Sequence, residues 1–233
     1  DDVCIERITL YNQLGEYQKA KDLIAGRKFH PWEGGEGKVT GQYTLCRVEL
    51  AKKAIKEGKY NDAIELLKET EYYPHNLGEG KLANAEENEV YYYKGIAYRG
   101  LGNEAAAIEN LMRATQGSAE PQQAFYYNDQ QPDKIFYQGL AWRELGDENK
   151  ARSRFNKLID HGKKHLFDDC KIDYFAVSLP ELAIWEDDLN IRNKVHCYYV
   201  MALGYSGLGE EEVAEEYYTK VKELDINKQV FRK

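Results

Sequence analysis

Two loops of this 233-residue chain carry the same four residues, Gly-Glu-Gly-Lys, at 35–38 and 78–81. Glycine amides and a lysine ammonium can surround an anion, so phosphate binding is the first chemistry to test. The spacing fails for a nucleotide loop. Trp32, not Gly, stands five residues before Gly37, and Lys38 is followed by Val39 rather than Ser or Thr. The same residues also suit plain structural work. Glycine permits positive φ, Glu36 and Glu79 lie near the start of a following helix, and Lys38 and Lys81 can pair with neighbouring segments. Contact with a ligand or partner through Trp32, Glu36, Lys38, Glu79 and Lys81 remains the alternative.

Other chemistry-bearing types are thinner. His161 and His165, with Cys170, could face one another on a helix as metal ligands. Gly162 threatens that helix, no fourth ligand has suitable spacing, and Lys163-Lys164 between the histidines reads as a solvated surface. His196 and Cys197 are adjacent and point to different faces. The acid clusters Asp168-Asp169 and Glu186-Asp187-Asp188 sit among 40 acidic residues, and nothing sets two carboxylates across a substrate. No serine elbow or Cys/His arrangement appears. The expectation is a non-catalytic chain that needs no metal or cofactor.

What must position these residues is a repeat. Gly15, Gly58, Gly102, Gly146 and Gly209 are each followed five residues later by Ala20, Ala63, Ala107, Ala151 and Ala214. Four further on stand Ile24, Leu67, Leu111, Phe155 and Tyr218, one helical turn away and on the same face. Seven residues before the glycine, Ala51, Gly95, Gly139 and Ala202 are small, as a close helix crossing requires; Tyr98, Trp142 and Tyr205 follow three later.

The stretches GIAYRGLGNEAAAIENL, GLAWRELGDENKARSRF and ALGYSGLGEEEVAEEYY resemble tetratricopeptide repeats. The resemblance implies an all-α fold, a right-handed α-α superhelix forming one domain over 1–233. Its repeats fall at 1–26, 41–71, 84–116, 132–161 and 191–224, with an insert at 162–190. The period departs from the family: the turn glycines are 43, 44, 44 and 63 residues apart, against about 34. Extended inter-repeat loops take up the difference, HPWEGGEGK (30–38), YPHNLGEGK (73–81) and YYNDQQPDK (126–134). Helices are expected at 3–14, 16–26, 41–57, 60–71, 84–101, 103–116, 132–145, 148–161, near 179–187, 191–207 and 210–224. The inserts are also similar to the C-terminal repeat regions of large bacterial proteins with an uncharacterised β-rich N-terminal domain. That likeness makes the chain a fragment.

In the tetratricopeptide family the first helix of each repeat lines a concave groove. Thirteen, ten, six and three residues before the turn glycine, the third repeat places Glu89, Tyr92, Ile96 and Arg99. The fourth places Asp133, Phe136, Leu140 and Arg143, and the fifth His196, Tyr199, Leu203 and Ser206. Aromatic and arginine rows are common interface anchors, although the rings could instead pack between repeats. The arginines would favour an acidic or C-terminal carboxylate group. The resulting expectation is a scaffold for a protein or peptide segment, or for another domain of the same polypeptide. The alternative is an accessory module of a carbohydrate-active enzyme, with Trp32 and Tyr73 shaping a sugar site.

Composition agrees with a soluble partner-binder. Net charge −8 and the absence of a long basic cluster argue against nucleic acid. No run approaches a membrane span. Four scattered cysteines without Cys-x-x-Cys, and no Asn-x-Ser/Thr site, suggest reduced thiols and a cytoplasmic setting. Nineteen tyrosines against five prolines suit half-buried helix surfaces.

Overall fold

A computed structural model describes residues 1–31, 35–83, 85–124, 130–171 and 188–230. The helix expected near 179–187 and the side chain of Trp32 lie outside these residues. All regular structure among them is helical. The α-helices are α1 (Asp2–Gln13), α2 (Tyr17–Ala25), α3 (Lys38–Lys56), α4 (Tyr60–Lys68), α5 (Asn88–Gly100), α6 (Glu104–Ala114), α7 (Pro132–Glu144), α8 (Glu148–His165), α9 (Leu189–Leu208) and α10 (Glu211–Leu224). Short 3-10 turns occupy Glu69–Glu71 and His75–Leu77. Two compact units hold them, Asp1–Ala114 with three helix pairs and Thr115–Lys233 with two.

Each pair is closed by the expected turn. Gly15, Gly58, Gly102, Gly146 and Gly209 all adopt φ between 73° and 86°, a left-handed backbone that only glycine takes without steric cost. The alanines five residues on are buried to the last atom or nearly so, and so are the large residues four beyond them. In the third and fourth repeats the large residue meets the small residue of the facing helix. A Cβ added to Gly95 would lie 2.6 Å from Leu111 Cγ, and one on Gly139 would lie 2.4 Å from the Phe155 ring. Small and large residues are therefore matched across the crossing, a knob against a hole. Ala151→Leu should overpack this crossing and lower stability by ~1–3 kcal/mol. An unchanged urea midpoint would contradict the register.

Helix boundaries shift by up to four residues from expectation: α3 begins at Lys38 rather than 41, and α4 ends at Lys68 rather than 71. The fifth helix begins at Asn88 rather than 84. The eighth runs through Gly162 to His165, because that glycine marks a close crossing rather than a break. A Cβ there would lie 2.6 Å from Cys197 O and 2.6 Å from Met201 Cγ on α9.

The inserts of the first unit fold onto one another. Phe29 N donates to Asn76 O at 2.7 Å, and Asn76 Nδ2 donates to Ile24 O and Arg27 O, each at 2.8 Å. One asparagine thus caps two carbonyls at and just beyond the end of α2. Leu77 and Phe29 are buried beside Ile24, Val39 and Tyr43. Gly78 has φ +80° and passes Phe29 so closely that a Cβ would sit 2.8 Å from its carbonyl oxygen.

Candidate partner-binding surface

The Gly-Glu-Gly-Lys loops are occupied by their own chain. Glu79 Oε2 accepts from Gly37 N at 2.9 Å, at the amino end of α3. A carboxylate from one insert thereby takes an amide that a bound anion would need. Burial raises the Glu79 pKa, the Gly37 hydrogen bond opposes that rise, and Glu36 adds to it. Lys81 Nζ donates to Thr70 O at 2.8 Å and to Glu87 Oε2 at 2.6 Å. Glu36 is exposed and Lys38 half-buried at the first turn of α3. The 43-residue recurrence therefore reflects stacking of one loop on the next. Tyr73 packs edge-on to Tyr43 with centroids 6.1 Å apart, and Lys81 Nζ stands 5.7 Å from its ring centroid. Nothing in this arrangement supports the sugar-site alternative.

Histidine placement is likewise local. His161 and His165 are 4.6 Å apart between ring centroids, His161 and His196 5.9 Å, and His165 Nδ1 lies 2.6 Å from Asp168 Oδ2. Cys170 Sγ lies 3.9 Å from Gln123 Nε2. Among the described residues no three His, Cys, Asp or Glu side chains are placed to hold a metal ion.

On the first helices the predicted rows divide by depth. The row ten residues before the glycine is interior in both units: Ile5, Val48 and Tyr92 in the first, Phe136 and Tyr199 in the second. Tyr92 lies edge-on to Tyr93 at 5.1 Å, and Phe136 packs at 6.0 Å from Phe155. The aromatic row thus belongs to packing. Glu89, Asp133 and His196, thirteen residues before the glycine, are buried too. His196 Nε2 lies 2.7 Å from Gln122 O, and Lys228 Nζ stands 5.6 Å from the Tyr199 ring centroid. In the second unit, extended segments of the same chain already lie against two expected groove positions.

Both arginines are half-exposed, and each is tied to its own repeat. Arg99 Nη2 pairs with Glu104 Oε1 at 3.1 Å, and Arg143 Nε with Glu148 Oε2 at 3.0 Å. Ser206 Oγ reaches Glu211 Oε2 at 3.4 Å in the same register. Arg143 also donates to Gly207 O at 2.7 Å and lies 5.1 Å from the Phe155 centroid. The carboxylate preference expected of this row is thus met from within, by the glutamate two residues after each turn glycine.

What remains open on this face lies in the first unit. Leu45 and Ile55 on α3 and Ile96 on α5 are half-exposed; beside them Arg99 pairs with Glu104, and the largely buried Lys52 pairs with Glu49 at 2.8 Å. The helices α1, α3 and α5 pack side by side, so these residues line one surface. Sequence reasoning took the groove from the last three repeats and missed Leu45, Lys52 and Ile55. The same count from Gly58 finds all three.

Sequence models of the tetratricopeptide repeat match residues 89–116, 135–161 and 195–226, the third to fifth repeats. Among solved structures, the crystal structure of MamA protein is 21% identical, covering 95% of this chain and 93% of that one, with a TM-score of 0.28. A crystal structure of Podosopora anserina putative kinesin light chain nearly identical TPR-like repeats is 14% identical, covering 98% and 96%, with a TM-score of 0.33. No helix among the described residues is long and apolar enough to cross a membrane.

Proposed function

We propose that the chain is a non-catalytic protein-binding scaffold, and that the first helices of its first unit take an extended protein segment. The observation that carries this reading is the run of half-exposed Leu45, Ile55 and Ile96 at groove positions of two neighbouring helices. An apolar row of this kind gives an extended segment contact area, while Lys52 and Arg99 at its edge are held by Glu49 and Glu104. The second unit supports it by analogy, since Gln122 and Lys228 already contact His196 and Tyr199 there. Partners in this reading include peptide segments and flanking domains of the same polypeptide.

A peptide selected from a displayed library on the wild-type chain tests it. Ile96→Asp should weaken that peptide at least tenfold, roughly 1.4 kcal/mol, measured at a temperature where circular dichroism shows both chains folded. Tyr72→Asp, in a loop and 79% exposed, should bind as wild type. Equal affinity in the Ile96 variant would remove the surface from consideration.

A further inference from the structure

A second surface lies in the other unit, between α8 and α10, which both pack on α9. Three half-exposed tyrosines line it, Tyr198 and Tyr205 two turns apart on α9 and Tyr217 on α10. The Tyr205 and Tyr217 rings are parallel to within 1° with centroids 5.6 Å apart, and Tyr198 lies 6.0 Å from Tyr217. An exposed lysine stands at each side. Lys163 Nζ of α8 is 5.6 Å from the Tyr205 centroid, and Lys220 Nζ of α10 is 4.7 Å from that of Tyr217 and 5.6 Å from that of Tyr198. Three helices thus build one row of rings and ammonium groups, and neither lysine forms an ion pair among the described residues.

The repeat register indicates what such a lysine takes. Lys220 stands eleven residues after its turn glycine, and the same position is Arg113 in the third repeat and Lys157 in the fourth. Arg113 also lies over a ring, 4.8 Å from the centroid of Tyr91, which holds the place of Tyr198. Lys157 is met by a carboxylate, that of Glu120 in the non-helical segment before α7. Gln138 Nε2 of α7 holds that segment by its main chain, donating to Gln116 O at 3.0 Å and to Ser118 O at 2.9 Å. One repeat therefore seats an extended acidic segment on this register, and the next presents a longer aromatic row with its lysines unpaired. The described residues after α10 turn to another face, where Lys228 Nζ lies 5.6 Å from the Tyr199 centroid.

We propose that this face binds an extended acidic segment of a partner protein, with carboxylates for Lys163 and Lys220 and an aromatic side chain between them for the tyrosines. The charge requirement follows from the register, since Lys220 stands where Lys157 meets Glu120. Each carboxylate gains a charge-assisted contact, and a ring laid on the row adds an aromatic pair. The lysines are already drawn to ring faces, so they are placed for both. This site does not depend on the groove of the first unit.

The probe is the heptapeptide Ser-Glu-Ser-Trp-Ser-Glu-Ser with a fluorophore at its amino end. Its anisotropy should rise saturably with added full chain, and the double variant Lys163→Glu, Lys220→Glu should bind at least tenfold more weakly. A peptide with lysine at both glutamate positions should reverse that order, binding the double variant and the wild type only poorly. Both substitutions alter exposed side chains, so the double variant should melt as wild type. The Ile96→Asp chain should bind the acidic peptide as the wild type does; a loss there would place the peptide in the first unit's groove and overturn the proposal. No saturable binding, or binding that the charge exchange does not reverse, overturns it too. So does a wild-type dimer that the double variant renders monomeric in sedimentation, because a second copy would then own the face.

Discussion

Phe155→Ala should destabilise the second unit by about 3–5 kcal/mol, the range for deleting a fully buried phenylalanine. The ring is enclosed by helices of two repeats. A Cβ on Gly139 of α7 would lie 2.4 Å from it, and one on Gly207 of α9 would lie 2.2 Å away. Arg143 stacks 5.1 Å from its centroid. Removing the ring leaves a cavity that these backbones cannot both close.

The same geometry predicts a change of sign. In the wild type, Gly139→Ala should destabilise, because Phe155 must give way to the added methyl. In the Phe155→Ala background the methyl enters empty space, and alanine's helix propensity, about 1 kcal/mol better than glycine's, should make the substitution stabilising. Urea unfolding of the four proteins measures the coupling. Additive effects would show that Gly139 and Phe155 do not meet.

Acidification should weaken the second unit through His196. Burial, aided by the charges of Lys228 and His161, pushes its pKa down to about 3 from an ordinary 6.5. The folded chain keeps this imidazole neutral while the unfolded chain protonates it. Stability is therefore full above pH 6.5 and is lost progressively between 6.5 and about 3. At pH 4.5 the loss is about 2–3 kcal/mol. His161, pushed down to about 4 chiefly by burial, acts in the same direction. His196→Gln keeps a donor for Gln122 O and removes the titration. The stability difference between pH 7 and pH 4.5 should shrink by that amount in the variant. An unchanged difference would show that His196 is as readily protonated in the folded chain as in the unfolded one.

The sequence made the pairing of helices legible because the constraint is local and repeats. Positive φ at five turns favours glycine, and a close crossing favours a small residue opposite a large one. Depth was harder to read. Tyr92, Phe136 and Tyr199 fall on the groove stripe by counting, but a helix in a solenoid also packs sideways, and that neighbour lies far away in sequence. The arginine row carried a readable signal that was passed over: Arg99 and Arg143 each have a glutamate five residues on, across the turn. The loops gave their recurrence without its meaning. Gly37 and Glu79 are 42 residues apart, and no periodicity within a loop announces that it will cap a helix belonging to another.

Side-chain footprinting of the chain, alone and saturated with the selected peptide, tests the central claim most directly. Protection should concentrate on Leu45, Ile55 and Ile96 of α3 and α5, with Tyr72 and Leu82 reacting as freely as before. Protection that spares all three residues and appears on the inserts or on the second unit would contradict the account.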